Sequence, residues 1–351
     1  MTKKDANVLN TVYVIGAGAS KEAKLPTGAE LKEKIIRALD IRHDFHKQIS
    51  GDYIITEALR IHKADINQYF ESAHQIRDAL PLAISIDNYI DTRRDDDRIA
   101  LCGKLAIVRS ILEAEQKSHL HFESSNKDSN IPFRNLEKTW YTPFFQLLTE
   151  NCTKSDLQER FKSVTLIIFN YDRCIEHFIY YALQKYYRLP VHEAAELVKA
   201  ITIYHPYGDV GTLPWLMQQT GTNRNMKMEF GNEPHPAQLL GLSKNIKTFT
   251  EGTDPQSSEI SEIRRRMSIA NRVVFLGFAF HPMNVQIITP EHVDDAKLVK
   301  IFATTLGISD SDEGVIKGQI KESLPNTNSV NMKKISCFEF FGEYWRSLSF
   351  C

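Results

Sequence analysis

A four-residue apolar run rich in β-branched side chains, Val12-Tyr-Val-Ile15, stops at Gly16-Ala-Gly-Ala-Ser20. A run this short, closed by glycine, predicts a buried strand followed by a tight turn. The pattern recurs at 164–169, 201–204, 273–276 and 298–304. Between these runs the apolar spacing is helical, as at Leu31, Ile35, Ile36 and Leu39, in Cys174 to Tyr187 ahead of Pro190, and around Ser258 to Asn271. Alternating strands and helices predict an α/β fold whose parallel sheet is covered by helices on both faces. Residues 41–159 read differently, with dense charge, apolar positions at three and four, and few strand-like runs. They are expected to form a large, mainly helical insertion into a domain built from 1–40 and 160–351. Asp95 to Arg98, Ser124 to Asn130 and Gly208 to His235 read as loops, and the aromatic 338–350 segment is expected to dock on the body.

The chain has 351 residues, enough to bury a core without staples. Its 43 basic and 44 acidic side chains leave a net charge of −1. That balance argues against coating nucleic acid phosphates or an anionic membrane surface. The cysteines, Cys102, Cys152, Cys174, Cys337 and Cys351, are odd in number, and none forms a pair separated by two residues. A disulfide framework and a cysteine-pair zinc site are therefore not expected, and the cytoplasm is the natural compartment. Met1 to Asp5 lead into no apolar signal region.

Three segments carry candidate chemistry. After the first strand, Gly16, Ala17, Gly18, Ala19 and Ser20 are small enough to let a pyrophosphate approach the backbone. As a dinucleotide fingerprint the segment is incomplete, because Lys21 stands where a third small residue is expected. Asn170 and Asp172, in Phe169-Asn-Tyr-Asp172, lie just past a strand end, where open α/β sheets bind ligands; Asp172 would equally cap the helix after it. His205 follows the next strand and is a candidate base. The pairs His43/His46 and His119/His121 lack a third metal ligand, and Arg264 to Arg266 fit a solvated helix face.

In this order the three segments resemble the sirtuin-like (silent information regulator 2) family. Leu25-Pro26-Thr27 looks like its cofactor loop, Ser85-Ile-Asp87-Asn-Tyr89 resembles an acidic motif of bacterial defence members, and Gly277 and Phe278 resemble the strand end that holds the adenosine side. The resemblance implies a Rossmann-like domain that binds NAD as substrate, with no metal. It differs from the deacylases of the family in lacking the two zinc-binding cysteine pairs, in placing Pro206 after the histidine, and in the long interval between Asn170 and His205. Water is then the implied co-substrate and NAD hydrolysis, in anti-phage defence, the implied activity. The pyrophosphate is assigned to 16–20, the ribose and attacking water to Asn170, the nicotinamide amide to Asp172, and the general base to His205. Homo-oligomerisation and control by a translocase ATPase, an Argonaute-like nuclease or a phage protein are further implications. A non-catalytic sensor of NAD or an ADP-ribose-derived signal, and an NAD-dependent deacylase or ADP-ribosyltransferase, are the alternative readings.

Overall fold

The computed structural model describes residues 9–45, 47–62, 65–123, 130–217, 227–252, 258–292 and 298–350. The first apolar run forms β1 (Thr11–Ile15). It sits at the middle of a six-stranded parallel sheet with β2 (Val164–Ile168), β3 (Thr202–Tyr204), β4 (Arg272–Leu276), β5 (Val299–Thr304) and β6 (Thr327–Lys333). The order across the sheet is β3-β2-β1-β4-β5-β6. It reverses between β1 and β4, as in a Rossmann-like fold, where ligands bind beyond the carboxyl ends of the strands.

Every residue of β1, β2 and β4 is buried, because each strand feeds two cores. Val12, Val14, Val273 and Phe275 pack on one face with Leu31, Ile35 and Leu39 of the Gly28–Leu39 helix. Tyr13, Ile15, Val274 and Leu276 pack on the other with Phe178 and Ile179 of the Cys174–Tyr187 helix and with Phe340 and Phe341 of the Cys337–Leu348 helix. Residues 41–159 contribute to both cores. Leu105 and Ala106 of the Asp97–Gln116 helix join the first, and Trp140 and Phe144 the second.

Several elements depart from the sequence expectation. β6 is the polar Thr327-Asn-Ser-Val-Asn-Met-Lys333, an edge strand with no fully buried residue, so no apolar run announces it. An antiparallel hairpin, Arg42–Asp44 with Lys47–Ser50, stands within the segment expected to be helical. The loop at Asp95 ends one residue later, because Asp96 caps the Asp97–Gln116 helix, accepting the Arg98 N–H at 3.0 Å. The 208–235 loop contains a single 3-10 turn, Pro214–Leu216, among its described residues. Residues 124–129, 218–226, Met1 to Asp5, His46 and Cys351 lie outside the described residues. Among the described residues no helix is long and apolar enough to cross a membrane.

Two polar anchors tie distant segments to the turn after β1 and the loop after β2. Glu22 accepts the Trp140 N–H at 2.7 Å and the Phe338 N–H at 2.9 Å, joining the amino ends of two helices through one carboxylate. Arg173 and Glu115 form an ion pair whose side chains are 3% and 0% exposed. The guanidinium also donates to the carbonyls of Gly211 at 2.9 Å and Met228 at 2.6 Å, and Glu115 accepts the Gly231 N–H at 3.1 Å. Removing one partner strands the other charge in the interior. Glu115→Gln or Arg173→Met should each cost about 3–5 kcal/mol in urea unfolding, and the double variant Arg173→Met/Glu115→Leu less than the sum.

Candidate active site

The glycines after β1 meet a second glycine turn after β4. The N–H of Gly16 donates to the Leu276 carbonyl at 2.9 Å, and that of Gly18 to the Gly277 carbonyl at 3.0 Å. A Cβ at Gly18 would lie 2.9 Å from the Gly277 backbone, and one at Gly16 2.5 Å from the Gly277 oxygen. Gly277 itself has φ +56°, and a Cβ there would sit 2.0 Å from the Ala19 nitrogen. These glycines let two backbones touch. The helix read from the spacing of Leu31, Ile35, Ile36 and Leu39 runs over Gly28–Leu39, and between it and Gly16 stands a single helical turn, Ala17–Ser20. Its Ala19 N–H is spent on the Gly16 carbonyl at 3.0 Å. Gly18 is the exposed residue of the turn.

Beside this contact the polar residues converge. Asn170 and Asp172 leave the end of β2, and Ser20 ends the turn after β1. Asn170 Nδ2 donates to Ser20 Oγ at 2.8 Å. Ser20 also lies within hydrogen-bonding reach of Asp172 and of Tyr141, which closes the cluster from the Tyr141–Thr149 helix. Burial pushes the Asp172 carboxyl above the usual carboxylate range, against hydrogen bonds from Ser20 and Cys174. Its Oδ1 accepts the Cys174 N–H at 3.2 Å, so the capping role holds alongside the contact with Ser20. Ser20, Asn170 and Asp172 are 2%, 7% and 5% exposed. A ligand reaching them must displace the groups that cover them.

His205 stands one residue past β3, in a turn closed by Gly208 N–H donating to its carbonyl at 2.8 Å. Its Nε2 lies 2.6 Å from Glu176 Oε1, and its Nδ1 lies 3.4 Å from the Asn170 carbonyl. Burial alone would lower the imidazole pKa, but the Glu176 carboxylate and its hydrogen bond win and raise it to about 9. At neutral pH the ring is an imidazolium. Glu176 is not marked by any sequence motif, although it stands one helical turn after Asp172 on the helix that begins at Cys174.

The other candidates fall around this group. Tyr171, between Asn170 and Asp172, donates its hydroxyl to Asp87 in a short hydrogen bond, so the acidic segment touches the Asn-Tyr-Asp loop. Burial pushes the Asp87 carboxyl up, while the Tyr171 hydroxyl pulls it down. Thr27 caps the Gly28–Leu39 helix in a reciprocal box with Glu30, and Pro26 is buried beside it. Neither has a hydrogen bond to Asn170 or His205 among the described residues. Phe278 is 3% exposed and packs at 5.1 Å on Phe169, so its ring serves the core. Arg265 and Arg266 pair with Glu262 on the open side of their helix, whereas Arg264, its side chain 15% exposed, is largely covered and pairs with Glu291. Among the described residues no three His, Cys, Asp or Glu side chains gather as a metal site would require. No protein-family model matches the chain, and no curated protein matches it.

Gly277→Ala should destabilise by about 2–4 kcal/mol in urea unfolding, through positive φ and the clash with Ala19. Gly28→Ala, whose Cβ meets nothing within 4 Å, should be neutral or stabilising by up to about 1 kcal/mol. The raised imidazole pKa also predicts a pH dependence. The pair's contribution is complete below about pH 6.5 and lost as pH rises through about 9. Stability relative to His205→Gln should fall by up to about 3 kcal/mol across that window.

Proposed function

We propose that the chain hydrolyses the nicotinamide–ribose bond of NAD, releasing nicotinamide and ADP-ribose. The observation that carries this reading is the meeting of Ser20, Asn170, Asp172 and His205 at the carboxyl ends of three adjacent strands in a sheet of Rossmann order. Cleavage of this bond passes through an oxocarbenium-like state. The site must orient the ribose, bring water to one face and bear the growing positive charge. Asn170 offers an amide to the ribose and the water, and Ser20 a hydroxyl beside it. Asp172, its carboxyl pushed up by burial and set beside Ser20, offers hydrogen-bonding oxygens to the nicotinamide amide. The pyrophosphate approaches the exposed Gly18 side of the turn.

The closed state of the site favours one second reading, a sensor that binds NAD without turning it over. Ser20, Asn170 and Asp172 are buried, and both His205 nitrogens face protein acceptors. The two readings separate on one measurement: nicotinamide released over time from NAD by the pure protein. Hydrolysis with wild type, and a rate lower by about 10²–10³ in a folded Asn170→Ala variant, is the expected result. Saturable NAD binding by calorimetry with no nicotinamide released would establish the sensor instead.

A further inference from the structure

We propose that Glu176 is the positioning residue for His205, holding the imidazole by Nε2 so that Nδ1 is the ring atom that takes a proton during NAD cleavage. The inference rests on the hydrolase reading. The 2.6 Å contact joins a histidine side chain 12% exposed to a carboxylate 6% exposed, so neither swings freely in water. A carboxylate accepting from Nε2–H selects the tautomer with its lone pair on Nδ1, and it stabilises the imidazolium formed when that lone pair takes a proton. Nδ1 lies 3.4 Å from the carbonyl of Asn170, the residue assigned to the ribose and the water. That contact is attractive only while Nδ1 carries its proton. Once the proton leaves, two acceptors face each other, and the better partner for Nδ1 is a donor at the same place, a ribose hydroxyl or the attacking water.

The step balances without a further reagent. The water oxygen bonds to C1′ of the ribose as the C1′–N1 bond breaks. The electron pair of the broken bond passes to the pyridinium nitrogen, which leaves as neutral nicotinamide. The proton of the water goes to Nδ1 and then to solvent, and the Nε2 proton stays on the hydrogen bond to Glu176.

The charges around the ring are Glu176 from the Cys174–Tyr187 helix and Asp209 from its own loop, with Asp172 and Arg173 acting on Glu176; Arg173 is itself paired with Glu115. Glu176 is the carboxylate in contact, so its loss should dominate. In wild type, kcat/KM for NAD should climb with pH towards about 9. In Glu176→Gln the limb should move to lower pH by at least about one unit, because burial is then opposed by less negative charge. The plateau should also drop by about ten- to a hundredfold. Glu176→Asp should restore part of the limb. A uniform loss with an unmoved limb in Glu176→Gln would make the residue merely structural and overturn the proposal. If wild type releases no nicotinamide at any pH, the hydrolase reading falls, and an NMR titration of the His205 ring decides the rest: the midpoint must drop in Glu176→Gln, or the positioning role falls too.

Discussion

The contact on which the molecule depends is the approach of two backbones, Gly16 to Gly18 after β1 and Gly277 after β4. These strands are neighbours at the point where the sheet order reverses, and no side chain separates their ends. Because the turns touch, Ser20 emerges at a fixed height beside Asn170, and the carboxyl edge of the sheet becomes a tight polar cluster. A single methyl group at this contact would push the β1 turn away from β4 and carry Ser20 with it.

Around the loop after β2, charge is arranged by helical period. Asp172 and Glu176 are four residues apart, as are Arg173 and His177. The first pair reaches Ser20 and His205, while Arg173 reaches Glu115. His177 is buried with Phe230 stacked at 4.0 Å, and burial lowers its pKa to about 3. One stretch of chain thus presents two carboxylates towards the strand ends and, on its other side, a paired guanidinium and a histidine packed among aromatic rings. The two histidines differ because one meets a carboxylate and the other meets rings.

Much of the sheet could be read from the chain. The five apolar runs became strands within a residue or so; β1, β2 and β4 are buried on both faces and so must be apolar throughout, while the half-buried edge strand β3 shows through Ile201, Ile203 and Tyr204. The sixth strand and the hairpin escaped, since edge and exposed strands carry polar residues that periodicity cannot distinguish from loop. The candidate site was legible only as a set of positions: Asn170, Asp172 and His205 come together with Ser20 at one edge of the sheet. Its detail was not. The glycines looked like space for a phosphate, and part of that space is filled by another glycine 259 residues away in sequence, a pairing no local pattern encodes. Glu176 and Tyr141 matter through distance alone, and nothing in their neighbours' sequence marks them.

The carboxylate of Glu22 has a consequence for the order of assembly. It fastens the β1 turn to a backbone amide 316 positions later, and another of its bonds reaches across 118. Contacts so remote in the chain close late, after local helices have formed and most of the closure entropy has been spent. The first strand can pair with β2 once residue 168 is made and with β4 once residue 276 is made, but the second brace on its turn comes from Phe338. One carboxylate thus fixes the β1 turn to both the middle and the end of the chain, so the turn beneath the polar cluster is held on two sides only in the full-length fold.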